Sequence, residues 1–127
     1  MSLTSRPPWR HAAAQLPLTP IEFEVLLALH EHDLHGYGLA KAVEQRTAGR
    51  LRLEPANLYR RLHKLVQQGL VAAADRRAAR DAGNERRQYF RITDFGRQVL
   101  QTEALRLQDQ VRAAAARRVL AHPRRSR

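Results

Sequence analysis

The chain has 127 residues, the length of one domain, and its 23 Lys and Arg residues outnumber 12 Asp and Glu residues to give a net charge of +11. The absence of Cys excludes disulfide scaffolds, Cys-based zinc sites and thiol chemistry. No apolar run approaches the roughly 20 residues that span a bilayer. Residues 1–17 lack the apolar stretch of a signal peptide, so we expect a cytoplasmic protein. The excess of basic over acidic residues predicts a polyanionic partner, either nucleic acid or an anionic membrane surface.

An N-terminal arm precedes two short predicted helices. Residues 1–17 form the arm, which three prolines interrupt. Thr19 can cap the first helix, because Pro20 suits its first position and Glu22 completes a capping box. After a break that contains Gly, a second helix is predicted from about Tyr37 to Thr47.

A third helix and a hairpin follow. The helix is predicted over residues 55–68, where Gly69 fits a C-terminal stop, and the alternation of residues 51–53 before it is compatible with a very short strand. Residues 70–74 and 87–92 are predicted to pair as a hairpin around a polar, Arg-rich loop. Three short helices followed by a basic hairpin is the plan of a winged helix-turn-helix domain.

The chain closes with a long helix, which Thr93 and Asp94 can cap and which is predicted to reach about Leu120. Apolar residues recur along it at spacings of 4, 3, 4 and 3, a seam of the coiled-coil type that predicts a homodimer. This seam consists of Leu100, Ala104, Leu107, Val111 and Ala114. We therefore predict a mainly α chain with a small β-hairpin. Its predicted regions are the arm at 1–17, the winged domain at 18–92, the dimerisation helix at 93–121 and a basic tail at 122–127.

The third helix is predicted to have separate apolar and polar sides. Leu58, Leu62 and Leu65 recur at helical spacing and predict the buried side. The opposite side, predicted to face outward, carries Asn57, Arg61, Lys64 and Gln68, with Arg60 beside them. Amide and guanidinium groups pair with adenine and guanine edges in a major groove, and a lysine suits a phosphate. The alternative is a solvated basic face without a partner.

The hairpin loop predicts a basic wing at residues 75–87. It includes Arg76, Arg77, Arg80, Arg86 and Arg87. Arg side chains are favoured along a DNA backbone and in narrow minor grooves. The alternative is a charged loop without contacts, which is the weaker interpretation because a basic helix directly precedes it. Helix and wing together predict double-stranded DNA as the partner.

Short motifs in a fixed order resemble the PadR-like family of transcriptional regulators, over roughly residues 18–107. They are Leu18-Thr19-Pro20, Leu34-His35-Gly36-Tyr37-Gly38, residues 55–62, Gly69-Leu70-Val71, and residues 87–93 with Gly96. The resemblance, to the short subgroup of the family, implies a homodimeric winged-helix repressor that a small-molecule or stress signal releases from DNA. It also implies DNA-facing positions for Tyr37 and Tyr59, and a small aromatic or hydrophobic effector whose site the sequence does not identify.

Two residues depart from the family pattern. Glu54 stands where the family usually has a Ser or Thr that caps the recognition helix, so we expect a weaker cap and a carboxylate that pairs with Arg52. Asn57 replaces a small hydroxyl residue, and its side chain either reads adenine or caps the helix.

Metal and catalytic sites have little support. His30, His32 and His35 could gather imidazoles around a metal, but their position at a helix end and turn favours a structural role, so we predict no metal and no cofactor. The chain has no Gly-rich phosphate loop, and its serines lie only in the terminal segments. We therefore predict that the protein is not an enzyme.

Two alternatives to a dimeric, operator-binding regulator remain at this point. An architectural DNA-binding protein without operator or effector would carry the same charge but show little preference among sequences. An interaction adaptor would bind no duplex DNA at physiological salt. A membrane-surface role is disfavoured, because no predicted helix sets a large aromatic-containing apolar face against a basic one.

Overall fold

The computed structural model describes residues 8–74 and 88–121, in which five helices and three short strands follow one another. In chain order these are α1 (Pro8–Ala13), α2 (Pro20–Glu31), β1 (Leu34–His35), α3 (Gly36–Arg46), α4 (Pro55–Gln67), β2 (Val71–Ala74), β3 (Tyr89–Ile92) and α5 (Asp94–Ala116). The strands form one antiparallel sheet in the order β1-β3-β2. The predicted fold class is confirmed: the chain is mainly helical, with a small sheet and a long C-terminal helix.

Leucines from the three central helices meet in one core. Leu26 of α2, Leu39 of α3 and Leu62 of α4 are almost completely buried. Ile92 of β3 and Val99 of α5 extend the same cluster to the sheet and the long helix. Each such side chain contributes about 1.5–3 kcal/mol when it is fully buried, so these contacts fix how the helices pack. Within the described part of the chain, no helix combines the length and apolar character that a membrane span requires.

The predicted helix ends are present. Thr19 Oγ1 accepts a hydrogen bond from the Glu22 amide at 3.1 Å, and Glu22 Oε1 accepts one from the Thr19 amide at 2.9 Å, which completes the capping box. At the end of α4, Gly69 adopts a φ of +80°, a conformation that favours glycine. The Leu70 amide then donates to the Leu65 carbonyl at 3.0 Å, so the chain leaves α4 in a Schellman turn.

Two local predictions about strands are wrong. Residues 51–53 form no strand, because the Leu51 amide donates to Thr47 Oγ1 at 3.1 Å instead of to a neighbouring strand. Their alternation reflects the burial of Leu53. The additional strand is β1, within the segment predicted to be a break, and it pairs with β3 through Leu34 opposite Phe90. Strand β1 has only two residues, too few to show the alternation of apolar and polar residues by which a strand is recognised in a sequence.

The beginning of α5 is joined to the end of α4 through Thr93. Its hydroxyl accepts a hydrogen bond from the Gly96 amide at 2.9 Å, as predicted for a cap, and lies 2.6 Å from the Gly69 carbonyl, to which it donates. The Thr93 amide donates to the Leu70 carbonyl at 3.0 Å. At its other end α5 stops at Ala116, one turn before the predicted end at Leu120.

A buried carboxylate on α5 holds the segment that precedes α2. The side chain of Glu103 is 1% exposed, and it accepts hydrogen bonds from the Leu18 amide at 3.0 Å and from Arg106 Nε at 2.5 Å. The hydrogen bond from Arg106 holds the pKa of Glu103 below its ordinary value, which outweighs the opposing effect of burial, and the Leu18 amide acts in the same direction. Helix α1 also packs against α5.

Stability should depend on the ionisation of Glu103. Because its folded-state pKa is lowered, the charge stabilises the fold fully above the unfolded-state pKa, and this contribution is lost as the pH falls through the folded-state pKa. We expect Glu103→Gln to reduce the free energy of unfolding at pH 7 by about 1–3 kcal/mol. We also expect it to flatten the loss of stability between about pH 5 and pH 3, measured by chemical denaturation.

The matched control for this measurement is Glu31→Gln, which removes the same charge from an exposed position at the end of α2. Its pH profile should follow that of the unmodified protein. A Glu103→Gln profile that also follows the unmodified protein would contradict the role given to the buried carboxylate.

Candidate nucleic-acid interface

Helix α4 buries its leucine side and presents a polar side to solvent. Leu58, Leu62 and Leu65 are each at most 1% exposed. Since each residue turns the helix by about 100°, the positions directly opposite the leucines are the following four. They are Ala56, Arg60, His63 and Gln67, and all four are exposed.

Part of the predicted outward side lies elsewhere on α4. Asn57, Arg61, Lys64 and Gln68 occupy one flank, about 60–120° from the leucine side. The prediction that these four residues lie opposite the leucines is therefore wrong, and two of them, Asn57 and Arg61, are half-buried. Arg61 Nε is buried without a hydrogen-bond partner among the described residues. His63 and Gln67, which the sequence interpretation missed, were recognisable from their spacing relative to the leucines.

Helices α3 and α4 bring Tyr37 and Tyr59 to the same surface. Their exposed fractions are 64% and 47%, and both line a cavity of about 380 Å³ between the two helices. Lys41 lines the same cavity, and its Nζ lies 5.6 Å from the centroid of the Tyr37 ring, a cation–π distance. Lys41 was not among the predicted site residues, although it stands four positions after Tyr37 and therefore on the same side of α3.

The His-Gly-Tyr-Gly motif has a structural explanation at its first two positions. His35 Nδ1 accepts a hydrogen bond from the Gly38 amide at 3.1 Å and so caps α3. Gly36 lies against the side chain of Tyr59, and a Cβ at Gly36 would overlap the Tyr59 hydroxyl and lie 2.8 Å from its Cζ. The glycine therefore allows the two helices to place Tyr59 where it is. Among the described residues, no three metal-ligating side chains form a group.

Two carboxylates of α2 hold the two helices that follow. Glu24 accepts a hydrogen bond from Arg46 Nε at 2.5 Å and a second one from Arg46 Nη2, a bidentate pair that connects α2 to α3. This hydrogen bond and the charge of Glu24 raise the pKa of Arg46. Glu22 Oε2 lies 3.6 Å from Lys64 Nζ and connects α2 to α4. Two of the three carboxylates of α2 are therefore used inside the domain.

The beginning of α4 differs from the prediction in one contact. Glu54 makes no side-chain hydrogen bond to the helix, in keeping with the weak cap expected. It does not pair with Arg52, because Arg52 Nε lies 3.8 Å from Glu44 of α3 instead. Asn57 does not cap the helix either, since its Oδ1 accepts a hydrogen bond from Arg60 Nη2.

The predicted wing lies outside the described residues, and only the two strands that flank it are described. These strands, β2 and β3, pair with Val71 opposite Ile92 and Ala74 opposite Tyr89. Residues 75–87 lie outside the described residues. They contain all five of the predicted wing arginines, Arg76, Arg77, Arg80, Arg86 and Arg87.

The predicted dimer seam divides between the core and the surface. Leu100 is 6% exposed and belongs to the core of the domain. Leu107 and Ala114 are half-buried, whereas Ala104 and Val111 are exposed. An apolar groove of about 460 Å³ runs between α2 and α5 and includes the first two residues of the seam. Its lining residues include Phe23, Leu27, Leu100 and Ala104. Dimerisation through this surface stays a prediction.

Three packed helices, the last with a solvent-facing polar side, and an antiparallel sheet that continues into a long helix define the winged helix-turn-helix class of DNA-binding proteins. The model of the transcriptional regulator PadR-like family matches residues 25–102 of this chain. The chain therefore belongs to the PadR-like family of transcriptional regulators, which bind DNA and are not enzymes.

Solved structures share this fold. A transcriptional regulator from Clostridium thermocellum is 20% identical, with a TM-score of 0.62 over 76% of this chain and 87% of that one. A PadR family transcription regulator from Clostridium difficile R20291 is 18% identical, with a TM-score of 0.62 over 77% and 97%. Bacillus subtilis PadR in complex with operator DNA is 17% identical, with a TM-score of 0.52 over 68% and 46%. A comparison with curated proteins finds no match.

Gly36→Ala should displace Tyr59 without unfolding the domain, because the overlapping atoms belong to the end of an exposed side chain. If Tyr59 contacts a DNA phosphate, as the family resemblance implies, we expect affinity for duplex DNA to fall by about tenfold, the loss of one hydrogen bond to a charged group. Fluorescence anisotropy with labelled duplex DNA measures this change.

Gly38→Ala is the matched control, since a Cβ there would meet its nearest neighbour, His35 Cε1, at an ordinary 3.5 Å. We expect this variant to bind DNA as the unmodified protein does. Equal DNA affinities for the two alanine variants would show that the position of Tyr59 does not matter for binding.

Proposed function

We propose that this protein is a dimeric, sequence-specific repressor that binds an inverted-repeat operator and is released by a small-molecule or stress signal. The observation that carries this proposal is the solvent-facing side of α4, where Arg60, His63 and Gln67 are exposed on a winged-helix domain. Such a helix enters the major groove of DNA in proteins of this class. The operator complex of Bacillus subtilis PadR supports operator DNA as the partner.

The side chains on this face suit base recognition. Arginine makes bidentate hydrogen bonds to guanine, and glutamine makes them to adenine, so Arg60 and Gln67 can each discriminate among base pairs. Both stand opposite the leucines that pack α4 into the core, so contact with a groove requires no change in the packing of the helix. We assign base reading to this face and backbone contacts to the flank that contains Asn57, Arg61 and Lys64.

The surrounding surface is suited to the DNA backbone. Tyr37 and Tyr59 offer hydroxyl groups that donate to phosphate oxygens, and Lys41 adds a positive charge between α3 and α4. The five wing arginines, Arg76, Arg77, Arg80, Arg86 and Arg87, are proposed as further backbone or minor-groove contacts. Contacts of this kind set the overall affinity and the register, whereas the α4 face sets the sequence preference.

A dimer and an effector complete the proposal. Val111 is 55% exposed, and Leu107 and Ala114 lie along the same side of α5, so a second copy would remove apolar surface from water. A two-fold dimer places two recognition helices about 34 Å apart, which matches successive major grooves. The groove between α2 and α5, of about 460 Å³, lies beside this surface and is within the size range of small-molecule sites.

Selection of genomic fragments by the purified protein at about 150 mM salt, against a random-sequence competitor, tests this function. We expect an inverted repeat with half-sites about one helical turn apart. With six or more phosphates neutralised, affinity should also fall about 10³-fold between 50 and 200 mM salt. Recovered fragments without a shared sequence would favour the architectural alternative, and no recovery would favour an interaction adaptor.

Arg60→Ala and Arg61→Ala separate base reading from backbone contact on the same helix. We expect Arg60→Ala to cost about 1–3 kcal/mol on the selected site and to relax the preference at one base step. Arg61→Ala should weaken binding to selected and random duplexes alike, because Arg61 is half-buried and lies on the flank to which we assign backbone contacts. Competition binding with single-base operator variants measures both. Loss of base preference in Arg61→Ala alone would reverse the assignment.

A further inference from the structure

Glu22 has two partners, the cap residue of its own helix and a lysine on α4. Its Oε1 accepts a hydrogen bond from the Thr19 amide at 2.9 Å and caps α2, while its Oε2 lies 3.6 Å from Lys64 Nζ on α4. The side chain of Glu22 is 10% exposed, whereas that of Lys64 is 60% exposed. The carboxylate is therefore fixed in the domain, and the ammonium group stands at the surface.

The two groups depend on each other unequally. The negative charge of Glu22 is stabilised without Lys64, because it lies at the positively polarised beginning of α2 and accepts a backbone hydrogen bond there. A separation of 3.6 Å without a hydrogen bond is a loose ion pair, and one partner is largely in solvent. The Lys64 ammonium can therefore leave Glu22 for another anion without unfolding the cap.

We propose that Glu22 is a positioning residue that withholds the Lys64 ammonium from DNA, so that an internal carboxylate and a phosphate of the operator compete for one positive charge. The inference rests on the proposed function, which places Lys64 on the backbone-contacting flank of α4. Glu22 thereby lowers the non-specific part of the affinity and leaves sequence recognition to Arg60, His63 and Gln67, whose side is opposite the leucines.

Glu22→Gln tests the competition with little disturbance of the fold, because glutamine also completes a capping box while it removes the charge. We expect affinity for duplex DNA to rise about two- to fivefold per recognition helix, the range of a partly exposed ion pair. The slope of log affinity against log salt should become steeper by up to about 0.9 per recognition helix, because one more cation is available to phosphate. A purely structural role would leave this slope unchanged.

Lys64→Gln completes a double-mutant cycle. Alone it should weaken binding only slightly, because Glu22 already compensates the charge of Lys64. Combined with Glu22→Gln, it should abolish both the gain in affinity and the steeper salt dependence. Asp109→Asn is the matched control, since it makes the same change in net charge at an exposed position on α5, far along the chain from α4.

The outcomes separate this inference from the proposed function. If the Glu22→Gln and Asp109→Asn variants bound DNA with the same affinity and the same salt slope, the inference would be overturned. Glu22 would then serve only as a cap. Weaker binding by a folded Glu22→Gln variant would also overturn it, and would indicate that the ion pair aids binding. If the unmodified protein bound no duplex DNA, the proposed function would fail, and the inference with it.

Discussion

The burial of Leu58, Leu62 and Leu65 decides the rotation of α4 about its own axis. A shift of one residue would turn the helix by about 100° and bring at least one of these leucines into water. With the rotation fixed, the side that meets solvent is fixed as well, and it contains Arg60 and Gln67. Packing in the core is thus the cause of which side chains are available for recognition.

The acidic residues of α2 reduce the positive charge that is available for binding DNA. Glu24 binds Arg46, and Glu22 lies close to Lys64, so two of the cations that make the chain basic are compensated inside the domain. Both carboxylates are mostly buried, so they are fixed in the domain beside these cations. The positive potential available to a DNA backbone is therefore smaller near α4 than the composition implies.

The features that could be predicted from sequence are those that depend on residues close to one another along the chain. The capping box at Thr19 and the end of α4 at Gly69 depend on adjacent residues and are confirmed. Strand β1 exists because β3 offers it a free edge, and that information lies outside its own two residues. The flank position of Arg61 was implicit in its spacing from Leu58, whereas the pairing of Glu22 with Lys64 depends on how α2 and α4 pack.

The hydrogen bonds of Thr93 give α5 a mechanical property. They join the first turn of α5 to the turn that ends α4, so a movement of α5 acts directly on the end of α4. The 23 residues of α5 extend about 34 Å from this joint. A displacement of about 6 Å at the far end of α5 tilts the axis of α5 by only about 10° at this joint. In the dimer that we propose, α5 would therefore act as a long lever, which converts a large displacement between subunits into a small tilt near the end of α4.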